Sequence, residues 1–222
     1  MANSTVNPWA FVVGGNDAFN SSAGQDQVIT VNNRGDQRVV QSLPPETELV
    51  RLGHSFSAQI PAASAFTLLI TIPTTLAELS LQNGEATGGK SYVISRFWVK
   101  AVTSMASACA LTPLSQLVRP GTAQVADNAA VLRTNLAGSA MPSSAKLVMA
   151  STATGCMTDK WNHHGSAIVT PTTNIGAVIE VLCYGRYIVP PQGSFNLNAQ
   201  ESVSGGAAIA GIEWHEVQLT LG

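Results

Sequence analysis

Residues 186–219 read RYIVPPQGSFNLNAQESVSGGAAIAGIEWHEVQL, and this stretch decides the fold. β-Branched and aromatic residues lead into the pair Pro190–Pro191, and apolar and polar residues then alternate through Phe195–Ala199. Small residues at Ser202–Gly206 are typical of a turn, and Ala208–Leu219 is again extended. Alternation with a period of two is typical of half-buried strands. The pattern predicts two long strands with which the rest of the chain must pair.

Further strands are predicted along the whole chain. Proline pairs and Asn/Gly clusters separate them, because these residues favour turns. The run Ala177–Tyr184 is almost wholly apolar, which is typical of a strand at the centre of a sheet. One short helix is predicted at Asp127–Leu136, with Asp127 as its cap and Gly138 as its end. The other predicted strands are Gln27–Val31, Arg38–Val40, Glu48–Ile60, Phe66–Ile72, Thr75–Leu81, Ser91–Val102, Met105–Leu117, Lys146–Ala150 and Ser166–Thr170.

The clearest alternation lies in Ser91–Val102. One face is predicted to enter the core and consists of Val93, Ser95, Phe97, Val99 and Ala101. The opposite face combines aromatic rings with cations, as an outer or interfacial face would, and consists of Tyr92, Ile94, Arg96, Trp98 and Lys100. We expect Arg96 or Lys100 to stack on a ring, which contributes about 0.5–1 kcal/mol at an exposed site.

The last strand breaks its own alternation. Ile212 and Trp214 share one face, whereas Val217 and Leu219 fall on the other. A slip of one residue inverts every side chain of a strand. The sequence therefore predicts either a β-bulge near His215–Glu216 or a strand that is covered on both faces.

Composition points to a protein that associates. Charged residues make up 11% of the 222 residues, against about 25% in ordinary globular domains. The formal net charge is −2 and the basic residues are scattered, which argues against direct nucleic-acid binding. A weakly charged surface repels its neighbours little and favours association.

The cysteines and the N-terminus exclude several classes of protein. The 3 cysteines, Cys109, Cys156 and Cys183, have no short spacing, which argues against a disulfide framework and a zinc site. The N-terminus shows no basic region followed by an apolar stretch, so no secretory signal is predicted. No apolar run reaches the length of about 20 residues that a membrane span needs.

These observations predict one all-β domain, an antiparallel β-sandwich that is jelly-roll-like, with an extended N-terminal arm. The arm is predicted at residues 1–26 and the sandwich at 27–222. The uneven connections between strands favour a jelly roll over a closed up-and-down barrel.

No catalytic, cofactor or metal site is predicted, and the chain is not expected to be an enzyme. Glu213 and His215 share a strand face, but no third ligand has a useful spacing. The pair His163–His164 with Asp159 and Cys156 is a poor ligand set, because adjacent side chains of an extended chain point apart. Arg34–Asp36 spells a tripeptide that integrins bind, yet it is also ordinary turn chemistry. A Gly-x-Ser-x-Gly elbow is missing from the sequence.

Three stretches resemble the small β-sandwich head proteins of tailed bacteriophages, the decoration or cement class. They are GRYIVPPQGSFNLNA at Gly185–Ala199, AGIEWHEVQL at Ala210–Leu219 and GKSYVISRFWV at Gly89–Val99. The resemblance implies a trimeric jelly roll in the virion that clamps major capsid proteins together, with its arm reaching a neighbour. It implies no catalytic residues. The residues we expect at assembly interfaces are Trp9, Phe11, Trp98 and Trp214, although large aromatic side chains anchor cores equally well.

Two alternatives stay open. One is a sugar-binding jelly roll of a phage tail or fibre, in which Trp161, near His163 and His164, would stack on sugar rings. The other is a single jelly-roll coat protein, which the near-neutral arm argues against, because coats that package nucleic acid usually carry a basic arm.

Overall fold

The structure is a computed structural model. It describes residues 30–31, 37–38, 45–103, 108–119, 126–138, 143–152, 155–169, 177–203 and 205–219. The chain divides into two compact units, Met1–Pro44 and Pro45–Gly222. The predicted arm, with Trp9 and Phe11, and the Arg34–Asp36 tripeptide lie outside the described residues.

The described part of the first unit is a small antiparallel ladder. Strand β1 (Thr30–Val31) pairs with β2 (Gln37–Arg38). Both strands fall within or next to segments that the sequence predicts as extended.

The second unit begins with helix α1 (Pro45–Arg51) and is otherwise built from strands. Short 3₁₀ helices occupy Ala62–Ser64 and Thr158–Lys160. The strands are β3 (Ser55–Gln59), β4 (Phe66–Thr67), β5 (Ala77–Asn83), β6 (Ser91–Ala101), β7 (Cys109–Val118), β8 (Leu132–Asn135), β9 (Ala145–Ser151), β10 (Asn162–His163), β11 (Ala167–Val169), β12 (Val178–Val189), β13 (Ser194–Glu201) and β14 (Ala207–Val217).

These strands form two antiparallel sheets. Sheet I has the order β12-β6-β14-β3-β8, with β4 also on β14. Sheet II has the order β10-β7-β13-β5-β9, with β11 also on β7. The long strands β5, β6 and β7, and again β12, β13 and β14, alternate between the sheets in chain order, which is the connectivity of a jelly roll. The predicted antiparallel sandwich is confirmed, and β13 and β14 lie inside their sheets as expected.

The core lies between the two sheets. Its largest wholly buried side chains come from both of them: Trp214, Tyr92, Phe97, Phe195, Ile60, Leu79, Leu81, Ile94, Leu111, Leu147 and Leu197. Phe56 stacks on Trp214 with ring centroids 5.6 Å apart, and Phe97 meets Phe195 at 5.7 Å. Such ring pairs contribute about 0.5–1.5 kcal/mol beyond the area that they bury.

The strand predicted at Glu48–Ile60 begins as a helix instead. Acidic Glu46 and Glu48 lie in the first turn of α1 and basic Arg51 in its last, which suits the helix dipole. Gly53, with a φ of 74°, follows the helix, and a left-handed glycine is a common helix end. Only Ser55–Gln59 is a strand.

Two other segment predictions are wrong. The run Phe66–Ile72 stays in sheet I only for its first two residues, β4; Leu69 then bridges to Gln200 of sheet II, so the chain is crossing between sheets. The predicted helix at Asp127–Leu136 contains β8 instead, because Asp127 accepts the N–H of Leu147 at 2.7 Å rather than capping a helix.

A β-bulge in β6 overturns half of the predicted face assignment. Arg96 pairs with Glu213 and Ile94 with Trp214, so Ser95 is an extra residue with no partner in β14. Phe97, Val99 and Ala101 face the core as predicted. On the other side of the bulge the parity is inverted, and Tyr92 and Ile94 are buried in the core rather than on the outer face.

Of the two causes proposed for the irregularity of the last strand, a bulge within the strand near His215–Glu216 is wrong, and cover on both faces is confirmed. The bulge lies opposite Glu213–Trp214, two residues before the predicted place, and the extra residue belongs to β6. His215 and Glu216 are also buried, as are their neighbours on the core face. The strand is therefore covered on both faces along much of its length.

Trp98 lies across the backbone of β14 at Gly211. A β-carbon built on Gly211 would collide with the six-membered ring of the Trp98 indole and would lie 2.7 Å from its Nε1. The Trp98 ring could make room for a β-carbon only if the strand moved. Position 211 therefore requires glycine.

We expect Gly211→Ala to lower the free energy of unfolding by about 1–3 kcal/mol, because it overpacks this contact. Urea denaturation of the wild type, Gly211→Ala, Trp98→Ala and the double variant measures the effect. The loss caused by Gly211→Ala should shrink when Trp98 is already alanine. An equal loss in both backgrounds would contradict the packing account.

Candidate assembly surface

Strand β12 is an edge of sheet I, and its apolar side chains are exposed. Val178 is 54%, Leu182 46% and Tyr184 74% exposed. The prediction that Ala177–Tyr184 is central in its sheet is therefore wrong for the single chain, since β12 pairs only with β6. The segment has the composition of a strand covered on both sides, but nothing in the described chain covers its outer side.

The other sheet edges are shorter. β12 has 12 residues, whereas β8, at the opposite edge of sheet I, has 4. In sheet II the edge strands β10 and β11 have 2 and 3 residues, and β9 has 7. Short strands, charges, prolines and bulges protect natural edges from pairing with other chains. Of the described edges, β12 is the longest, and a bulge between Leu182 and Tyr187 interrupts its pairing with β6.

An arginine neutralises the carboxylate in the middle of β12. Arg96 Nη1 lies 2.5 Å from Glu180 Oε1, and Arg96 Nη2 lies 2.6 Å from Glu213 Oε1. Hydrogen bonds to Glu213 and Glu180 raise the pKa of Arg96 above its usual value. Arg96 is thus held between two carboxylates rather than stacked on a ring. The pairing removes an exposed negative charge that would otherwise protect the edge.

The predicted interface tryptophans separate into different environments. Trp98 is half-buried on the outer face of sheet I, next to Glu180 of β12 in register. Trp214 is wholly buried, stacked on Phe56, so its interface assignment is corrected to a core role. The alternation of side chains along β14 points Trp214 towards sheet II rather than towards solvent.

The predicted sugar platform is not present at Trp161. This side chain is 6% exposed and packs against Leu114, Cys156 and Ala77. Its Nε1 donates a hydrogen bond of 2.8 Å to the carbonyl of Pro73. A ring held in this way has no face available for stacking on a sugar.

The candidate metal-ligating residues have other partners. Glu213 pairs with Arg96, and the Nδ1 of buried His215 lies 2.7 Å from Ser55 Oγ. His164 Nε2 lies 2.7 Å from Ser115 Oγ, whereas His163 is exposed. Within the described residues, no group of three or more His, Cys, Asp or Glu side chains could hold a metal ion. In the same part of the chain, no helix has the length and apolar character needed to cross a bilayer.

The outer face of sheet II is polar but buried, which the sequence reasoning missed. Ser80 of β5 and Asn196 of β13 are paired in register and wholly buried, and Ser80 Oγ and Asn196 Oδ1 have no hydrogen-bond partner among the residues that the structure describes. Gln116 of β7 holds Met157 over part of this face through two bonds of 2.8 Å. Glu78 is 6% exposed, and burial raises its pKa to about 7.

Glu78 should make the protein less stable as the pH rises. Below pH 4.5 the Glu78 carboxyl is neutral in both the folded and the unfolded protein. Between pH 4.5 and about 7 it loses its proton in the unfolded chain but keeps it in the folded protein, so ionisation stabilises the unfolded state. Glu78→Gln should therefore gain on the order of 3 kcal/mol in unfolding free energy at pH 8 relative to wild type, and little at pH 4.

Urea denaturation at both pH values measures this difference. Glu78→Asp is the matched control, because it keeps a carboxyl at the same place and should keep the loss of stability on raising the pH. If Glu78→Gln changed stability equally at pH 4 and pH 8, the buried carboxylate would not be the cause.

Comparisons with known proteins give no match to any protein family, to any curated protein or to any solved structure.

Proposed function

We propose that the chain is a structural subunit of a virion, a decoration or cement protein that binds the major capsid lattice as an oligomer. The observation that carries this proposal is the exposed apolar edge strand β12. Its sequence is typical of a strand covered on both sides, and Val178, Leu182 and Tyr184 are about half exposed or more in the single chain. Covering by another subunit resolves the mismatch.

The architecture is compatible with this role. Jelly rolls occur in viral capsids, in lectins and in other proteins, and a fold by itself does not assign a function. Burial of Trp161 removes the residue on which the sugar-binding alternative depended. The low proportion of charged residues, 11%, also favours a surface made for association.

A single β12 contact would be weak. Complete burial of an aliphatic side chain contributes about 1.5–3 kcal/mol, and Val178 and Leu182 are already partly covered, which leaves about 1 kcal/mol each. An oligomer presents several copies of this contact to a lattice, and multivalency multiplies their effect without new interactions. A weakly charged edge with neutralised Glu180 avoids the desolvation of an unpaired carboxylate.

We expect the double variant Val178→Ser/Leu182→Ser to bind empty phage heads at least about ten-fold more weakly than wild type, as measured by co-sedimentation. The substitutions remove apolar area that is exposed in the single chain, so the unfolding midpoint should change little. Leu132→Ser is the matched control, because Leu132 is 51% exposed on β8 at the opposite edge of sheet I.

Three results would argue against the decoration role. If the wild-type protein bound no heads and stayed monomeric, the proposal would fail. If it formed closed shells alone, the coat-protein alternative would replace it. If Leu132→Ser weakened binding as much as the β12 variant, β12 would not be the contact surface.

A further inference from the structure

Alternate residues of β12, before its bulge, direct their backbone groups towards the open edge of sheet I. The carbonyl of Ala177 accepts a hydrogen bond of 3.0 Å from the N–H of Ala101 in β6, and regular pairing with β6 follows from Val178 to Leu182. Residues of an antiparallel ladder alternate between hydrogen-bonded and non-hydrogen-bonded pairs. The N–H and C=O groups of Val178, Glu180 and Leu182 therefore point away from β6.

The side chains of the same three residues are exposed. Val178 is 54% and Leu182 46% exposed, and Glu180 is exposed between them. The segment reads Val-Ile-Glu-Val-Leu, so an apolar residue stands at equal distances on both sides of the central glutamate. Two antiparallel copies of such a segment are complementary, because each apolar side chain meets an apolar side chain across the strands.

One register of self-pairing uses all of these groups. A two-fold axis at Glu180 places Val178 opposite Leu182 of the second copy, and it places the two copies of Glu180 opposite each other. Every outward-pointing residue then meets an outward-pointing residue, so the two backbones exchange about six hydrogen bonds. An axis at Ile179 or Val181 would instead oppose an aliphatic side chain to the carboxylate of Glu180.

The charges of the outer face permit this register. Like charges directly opposite each other destabilise a pair of strands, and the two copies of Glu180 meet at the axis. Within each copy, however, Arg96 lies 2.5 Å from Glu180 and 2.6 Å from Glu213. Lys100 is the register partner of Val178 on the neighbouring strand. Arg96 and Lys100 thus balance the two carboxylates, and this part of each copy has no net charge.

The contact is small, and we therefore expect it to be reversible. The irregularity between Leu182 and Tyr187, where Tyr184 and Gly185 have φ angles of 49° and 72°, ends the regular segment. Such a short segment buries much less than the about 1,200–2,000 Å² of a stable interface. Pairing of this size needs a high protein concentration and yields to a tighter partner of the same edge.

We propose that the β12 edges of two copies of this chain pair antiparallel about a two-fold axis at Glu180, and that this pairing covers the edge before assembly. A long apolar edge left open pairs with unrelated chains and aggregates. The contact uses the same surface on both copies, so it closes as a dimer. Its role as a cover rests on the proposed function, because phage heads would compete for the same edge.

Cross-linking of cysteine variants of the full chain at high concentration reads the register. Glu180→Cys should cross-link to itself through a short bismaleimide, because the two copies of this residue face each other. Val178→Cys mixed with Leu182→Cys should also cross-link. Each of these two variants alone should cross-link at least about ten-fold less, because identical residues lie roughly 13 Å apart along the strands.

Two controls report on other contacts. The native cysteines are free and buried, so the wild type should not cross-link. Leu132→Cys is the matched control, because Leu132 is 51% exposed on β8 at the opposite edge of sheet I, and it should not cross-link to itself. Failure of Glu180→Cys to cross-link, or equal cross-linking of Val178→Cys and Leu182→Cys alone and in the mixture, would overturn the self-pairing.

Co-sedimentation with empty phage heads tests the role as a cover. The cross-linked Glu180→Cys dimer should bind heads at least about ten-fold more weakly than the same variant before cross-linking, because its edges are occupied. Equal binding by the two forms would overturn this role. If the variant cross-linked in the predicted register but neither form bound heads, the self-pairing would stand and the capsid role would fail.

Discussion

The register of β6 is the constraint on which sheet I depends. Tyr92 and Ile94 at one end of the strand and Phe97 and Val99 at the other must all enter the core, yet regular alternation puts these pairs on opposite faces. The extra residue Ser95 reconciles them, and its hydroxyl donates to the Glu213 carbonyl at 3.2 Å. Without this insertion, one half of the strand would turn its large side chains to solvent.

The same insertion shapes the edge of the sheet. On the side of β14, Ser95 is an extra residue between the partners of Glu213 and Trp214. On the side of β12, the residues Cys183–Arg186 lie opposite Ser95 and form a protrusion. The protrusion interrupts the pairing of β12 with β6, which resumes at Tyr187, and Val178 and Leu182 are exposed in the part of the strand before it. A packing requirement of the core is thus matched by an irregularity in the same edge strand that carries the exposed apolar segment.

The sequence predicted the sandwich because its signal is periodic and local. Alternation identified β6, β9, β13 and β14, and proline and glycine marked their ends. Sheet order is not local: the apolar run of β12 looks the same at the centre of a sheet and at an edge that another subunit covers. The bulge at Ser95 was equally hidden, because parity can change anywhere in a strand whose two faces both carry apolar residues.

The candidate sites were harder to predict than the fold. The roles of Trp214 and Trp161 were predicted from residue type alone. Both side chains are buried by residues that are distant in the sequence, and this burial decides their role. Glu78 carried no motif. The only sequence signal for the buried polar face was the alternation of Glu78, Ser80 and Gln82. The only sequence signal for the bulge in β12 was the pair Tyr184–Gly185 before Arg186.

Amide hydrogen exchange of the full chain, measured alone at low concentration, at high concentration and with empty phage heads, tests the central claim most directly. The account predicts that the amides of Val178–Leu182 that face away from β6 exchange rapidly in the dilute protein and slow on association, while those at the outer edge of β8 do not change. Rapid exchange of Val178–Leu182 under all three conditions would contradict the claim that this edge is an association surface.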